Sequence, residues 1–70
     1  MVRKPVISGM IKSVGYDSTL KVLEIEFNSG AIYQYTLVSV DVYISFINAI
    51  SLASFFHSNI RGKYLTTRIS

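Results

Sequence analysis

The chain has no cysteine, no tryptophan, one proline and one histidine among its 70 residues. Without cysteine there is no disulfide and no thiolate metal site, so the fold must rest on apolar packing or on self-association, and the cytoplasm is the expected compartment. The lone histidine, His57, and the carboxylates Asp17, Glu24, Glu26 and Asp41 follow no ligand spacing, so no metal and no cofactor is expected. Length excludes a second domain: a chain this short builds one small core, burying about 60% of the surface its unfolded form exposes. The single domain is expected to span residues 1–70, with its core over about 8–65. A secretory leader is not expected either. Arg3 and Lys4 precede a mildly apolar stretch, but Gly9 and Lys12 interrupt it and no small-residue cleavage site follows.

Long uninterrupted apolar runs are also missing. Residues 42–60 carry no formal charge with His57 neutral and approach the length of a spanning helix. Ser45, Asn48, Ser51, Ser54, His57, Ser58 and Asn59 would all meet lipid at a cost, and the stretch 48–54 reads as a break between two short helices. No membrane insertion is expected.

What the chain does contain is apolar residues, half of the total, and an excess of seven basic over four acidic side chains. The clearest local signal is Phe27-Asn28-Ser29-Gly30-Ala31-Ile32-Tyr33-Gln34-Tyr35, a hairpin whose second strand bears a Tyr-x-Tyr pattern. Before it, Leu20 to Phe27 places Leu23, Ile25 and Phe27 on one face and Glu24 and Glu26 on the other, the alternation of a half-buried antiparallel strand. A three-residue loop with Gly30 in the left-handed region pairs Ile25 with Tyr33 and Leu23 with Tyr35, which turns both rings to the apolar face; a two-residue loop would turn them outward. Met10 to Tyr16 supplies a further strand, ended by the turn chemistry of Gly15 and Asp17-Ser18.

After Val38 the period changes. Ser39 can cap a helix with Asp41 in its first turn, and Tyr43, Phe46, Ile47 and Ile50 follow as the stripe laid on the sheet. A second helix is expected from near Ser54 to Ile60 or Arg61, with Gly62 to terminate it and an extended segment from Lys63 to Ile69. The expected architecture is α+β: a three-stranded antiparallel meander with two free edges, covered on one face by two short C-terminal helices.

Val14-Gly15-Tyr16-Asp17, the Leu23/Ile25/Phe27 strand, the Gly30 turn, Tyr33-x-Tyr35, Ala49-Ile50-Ser51 and Phe55-Phe56-His57-Ser58-Asn59-Ile60-Arg61 occur in an order that resembles the KTSC domains. These are short modules found alone in bacterial and phage-like proteins and at the C-terminus of some lysyl-tRNA synthetases, with a central Tyr-x-Tyr signature. The resemblance covers most of the chain and implies a small non-catalytic binding module, with RNA, tRNA included, as the partner class its company suggests. Ser39 departs from the proline usual after the valine, exchanging one helix-start signal for another. Ala53 departs from a common glycine between the helices and resists the positive φ that glycine would allow.

Three functional classes compete for these residues. For nucleic acid, Arg61, Lys63 and Arg68 form a basic C-terminal cluster with Tyr64 among them, and Tyr33 and Tyr35 are candidate stacking rings. The competing role for both tyrosines is core packing with the hydroxyls at the edge, and Glu24 and Glu26 on an exposed strand face would repel phosphate. For an enzyme, Ser54 and His57 sit three apart, but no oxyanion hole or orienting carboxylate accompanies them, so no catalytic residue is expected. The third class is a protein-interaction module, a homodimer or a binder of a host or phage partner, using surplus apolar surface or a free sheet edge.

Overall fold

The computed structural model describes all 70 residues. Gly30 adopts a φ of +96°, and around it the Phe27 amide donates to the Ala31 carbonyl at 2.9 Å while the Gly30 amide donates to Phe27 at 2.9 Å. This closes the three-residue loop and sets β3 (Val22–Phe27) against β4 (Ile32–Tyr35) with Leu23 opposite Tyr35 and Ile25 opposite Tyr33. The inward register expected for the two tyrosines is the one adopted.

The preceding strand, β2 (Ile11–Asp17), pairs antiparallel with β3 and carries a register irregularity between Ile11 and Ser13. That bulge adds one residue, so Ile11 and Val14, three apart, both enter the core while Ser13 turns to the opposite face. Asp17 closes the β2–β3 turn by accepting from the Thr19 and Leu20 amides, both at 2.9 Å.

The sheet has five strands rather than the three expected from sequence. Lys4–Pro5 forms β1 on the outer edge of β2, and Thr66–Arg68 forms β5 on the outer edge of β4, so the spatial order is β1-β2-β3-β4-β5. The edges of β2 and β4 are therefore occupied by the chain's own ends. Neither flanking strand carries an apolar alternation, because both are short and exposed; their pairing comes from proximity to an existing edge and not from burial.

The first helix, α1 (Val40–Ile47), starts as expected, with the Ser39 hydroxyl accepting from the Val42 amide at 3.3 Å. It ends earlier than expected. The Asn48 side-chain amide donates to the Ile44 carbonyl at 2.8 Å, the helix stops, and Ile50 lies 108% exposed off the sheet-facing stripe, in which only Phe46 is fully buried. A second helix, α2 (Leu52–Phe55), is capped by Ser51 and runs directly into a π-helical turn over Phe56–Ile60. Ala53 sits inside α2 in ordinary helical backbone, so the missing glycine strains nothing. Gly62, at a φ of +74°, ends the turn as expected.

One core fills the space between sheet and helices: Ile11, Val14, Leu23, Ile25, Tyr35, Val38, Phe46, Phe56 and Ile60. Tyr16 stacks on Tyr43 with centroids 4.5 Å apart and donates its hydroxyl to the Val38 carbonyl, pinning the start of α1 to β2.

The face of the sheet away from the helices is not the exposed surface expected for Glu24 and Glu26. The N-terminal residues fold across it, close enough that a Cβ on Gly15 would stand 2.7 Å from the Val2 carbonyl oxygen. Arg3 pairs with Glu24, donates to Ser13 at 3.0 Å and approaches Glu26 at 3.8 Å, and Gln34 donates to Glu24 at 2.8 Å. Glu24 is thus 4% exposed. Burial on its own would raise its pKa; the hydrogen bonds from Gln34 and Arg3, with the Arg3 charge, outweigh that and hold it below the usual carboxylate value.

Candidate functional site

Between the β3–β4 turn on one side and the end of the π-turn on the other lies a groove of about 650 Å³, within the size range of small-ligand sites. Its walls carry Phe27, Tyr33, Tyr35 and Phe56, with Arg61 at the lip and Thr66 of β5 along the far side.

Each of these groups is positioned by a local feature already described. Alternation along β4 points Tyr33 and Tyr35 to the helix side of the sheet. Phe56 is 4% exposed and forms the floor, meeting Phe27 and Tyr35 edge to face at 5.3 and 5.8 Å. The π-turn gains one residue over an α-helical turn, and its closing bond, from the Arg61 amide to the Phe56 carbonyl at 2.8 Å, delivers Arg61 beside the ring that begins it. Such turns recur at functional sites.

The fold separates the two tyrosines by role. Tyr35 is 3% exposed, and burial, with the neighbouring Tyr33, pushes its hydroxyl up to about 12 against an opposing pull from Arg61. Its ring is core and cannot offer a stacking face. No buried side-chain oxygen or nitrogen lacks a partner, and the Tyr35 hydroxyl has none within the chain, so it reaches the groove. Tyr33 is half-buried, with Phe27 edge-on at 5.8 Å.

The basic cluster is brought together in part. Arg68 of β5 is the direct partner of Tyr33, its guanidinium 5.9 Å from the ring centroid, and its Nε donates to the Ser70 carbonyl oxygen at 3.0 Å. Arg61 is exposed, 3.5 Å from His57 Nδ1, and Lys63 follows in the exposed turn after Gly62. Tyr64 does not join them: it lines a separate depression of about 390 Å³ with Asp41 and Phe55. His57 lies exposed on the π-turn, and no group of three or more His, Cys, Asp or Glu side chains meets anywhere in the molecule. No helix is long and apolar enough to cross a membrane.

Sequence reasoning missed Phe27 and Phe56 as walls of a groove, and the π-turn itself. Both phenylalanines read as core from their periodicity, and the extra residue of a π-turn leaves no periodic mark in so short a segment.

Residues 7–64 match the KTSC domain family. The chain is 38% identical over 60 residues to a lysine–tRNA ligase of Trichormus variabilis, an alignment spanning 86% of this chain and 11% of the ligase. It is 39% identical over 57 residues to an uncharacterized protein of Stutzerimonas stutzeri, covering 81% of this chain and 80% of that one. The crystal structure of a KTSC domain protein from Yersinia pestis superposes with a TM-score of 0.96 at 39% identity, over 99% of this chain and 97% of that one.

Proposed function

The chain belongs to the KTSC domain family, and from that membership we propose that it is a non-catalytic module that binds RNA through the surface joining Arg61, Lys63 and Arg68 to Tyr33. The observation that carries the reading is that Arg61 lines the aromatic groove and Arg68 lies over the ring of Tyr33, one of its walls, so that the C-terminal cations meet a strand about thirty residues earlier in the sequence. Cationic side chains beside an aromatic ring make the combination that binds unpaired strands, the cations meeting phosphate and the ring meeting a base. The expected obstacle to phosphate is absent from this side: Glu24 and Glu26 lie on the opposite face, engaged by Arg3 and Lys12. The similarity to part of a lysine–tRNA ligase supports RNA as the partner class.

A backbone amide NMR titration with bulk tRNA and a short single-stranded RNA tests the reading at about 50 and about 200 mM salt, the range over which phosphate-driven binding collapses. Salt-sensitive shifts clustering on residues 61–68 and Tyr33 are expected. Their absence at the lower salt discards nucleic acid and leaves a protein partner.

A further inference from the structure

We infer that the groove is the seat of one unpaired nucleotide of such a strand, its base against Tyr33 and its phosphate on Arg61. This deepens the RNA reading and rests on it.

Shape is the first argument. The groove is an open concavity with the Asn28-Ser29 turn and Gly62 among its lining. A duplex keeps its bases stacked inside and presents a convex backbone, so only a base splayed out of its strand can enter. The volume, about 650 Å³, is within the range of small-ligand sites and so of a single nucleotide.

Chemistry is the second. The walls supply three kinds of group that a nucleotide uses and that an aliphatic peptide side chain does not. Tyr33 offers a ring already flanked edge-on by Phe27, which fixes its tilt. The Tyr35 hydroxyl opens into the groove with no partner in the chain, available to a base edge or a ribose. Arg61 at the lip offers a planar fork suited to phosphate, with its backbone amide spent on the π-turn and its side chain exposed.

Charge is the third. No carboxylate lines the groove. Of the four in the chain, Glu24 and Glu26 face the other side of the sheet, Asp17 closes the β2–β3 turn, and Asp41 lines the separate depression near Tyr64. An anion at Arg61 therefore meets no competing acid in the groove, and Arg68 adds a second cation over the ring of Tyr33. Apart from Arg61, the polar side chains are the hydroxyls of Ser29, Tyr33, Tyr35 and Thr66 and the Asn28 amide, groups that between them donate and accept, so the site takes any base with little preference among them.

Three RNA probes and one variant separate the possibilities. Hexauridylate, a hexamer of abasic ribose phosphate and a short RNA duplex are titrated at about 50 mM salt, where phosphate binding is strong. Hexauridylate is expected to move the amides of the groove residues Tyr33, Tyr35 and Phe56 together with those of Arg61, Lys63 and Arg68, whereas the abasic hexamer and the duplex move only those of the three basic residues. Thr66→Trp, on an exposed edge strand where a large β-former is tolerated, fills the groove from its rim. It should weaken hexauridylate tenfold or more and leave the abasic hexamer unchanged, with an unaltered amide spectrum elsewhere. Groove amides that stay still while the basic residues respond to all three probes overturn the inference and leave the RNA reading standing. Unchanged hexauridylate affinity in Thr66→Trp overturns it as well. If no probe shifts any amide, the RNA reading falls and the nucleotide site with it.

Discussion

Arg68 lies directly across the β4–β5 pairing from Tyr33, its guanidinium 5.9 Å from the ring centroid, so the Tyr-x-Tyr strand and the basic C-terminal segment form one surface. Neither residue signals the other in the sequence. Their meeting requires the chain to pass through both helices and return to the edge of the strand it left.

If Arg61 and Lys63 each neutralise a phosphate, replacing both with alanine should weaken RNA binding and flatten its salt dependence. The log–log slope should fall by about 1.4, at about 0.7 per single-strand contact. Both side chains are exposed, so melting temperature should not move. Binding measured by anisotropy across a salt series checks this, and an unchanged slope removes the two residues from the interface.

Tyr35 predicts an alkaline limb in the stability curve. Its hydroxyl ionises near 10.0 when unfolded and near 12 in the fold. Between those values the unfolded chain sheds a proton that the native chain keeps, so stability should fall across that window by on the order of 2 kcal/mol. Tyr35→Phe should remove its own share of that fall, leaving the share of Tyr16, whose hydroxyl burial and Asp17 also push up, and should cost about 0.5 kcal/mol or less at neutral pH, since no intramolecular hydrogen bond is lost. Tyr16→Phe is the contrast: it orphans the Val38 carbonyl and should cost about 1 kcal/mol or more. Urea unfolding of both variants from neutral to alkaline pH separates the two roles.

The Arg3–Glu24 pair predicts the acid limb. Removing the guanidinium leaves a buried carboxylate held by Gln34 alone, and Arg3→Ala should cost about 2 kcal/mol at neutral pH. Because the native chain holds Glu24 ionised below its unfolded value of 4.5, the wild-type advantage is complete above that pH and shrinks as pH falls through the folded value. The stabilities of wild type and variant should therefore converge on acidification, read from urea midpoints down to about pH 3. Parallel curves would show that the pair does not govern that limb.

Leu37 should be improvable. It holds a φ of +59° between β4 and α1 with its side chain 79% exposed, so it bears left-handed strain with little burial in return. Leu37→Gly relieves the strain while loosening the unfolded chain, and the balance should favour the variant by about 0.5 kcal/mol. A lower melting temperature would show that the exposed leucine contributes packing.

The central hairpin was legible because its signals are local: Glu24 and Glu26 alternate with Leu23, Ile25 and Phe27, and Gly30 alone can close the loop. The start of α1 was legible for the same reason, in Ser39. What escaped was set at a distance. Glu24 alternates as a surface residue does, and only the return of Arg3 across the sheet buries it. Ile50 continues an apolar period that the Asn48 side chain cuts short. Of the proposed RNA-binding residues, the basic ones were visible as a cluster, but nothing short of the fold separates Tyr35 in the core and Tyr64 beside Asp41 from Tyr33 in the groove.

The strands lie side by side in the order in which they occur in the chain, and this has a kinetic consequence. Pairings from β1 to β4 each close over a short turn, at small entropic cost, and can form early. The β4–β5 pairing must wait for both helices, since its partners, such as Tyr35 and Thr66, stand on either side of them. The far wall of the groove is thus the last piece to dock and, with only three exposed residues in β5, among the first to open in native-state exchange. A strand of RNA that grips Arg68 would hold shut the last pairing of the sheet that binds it.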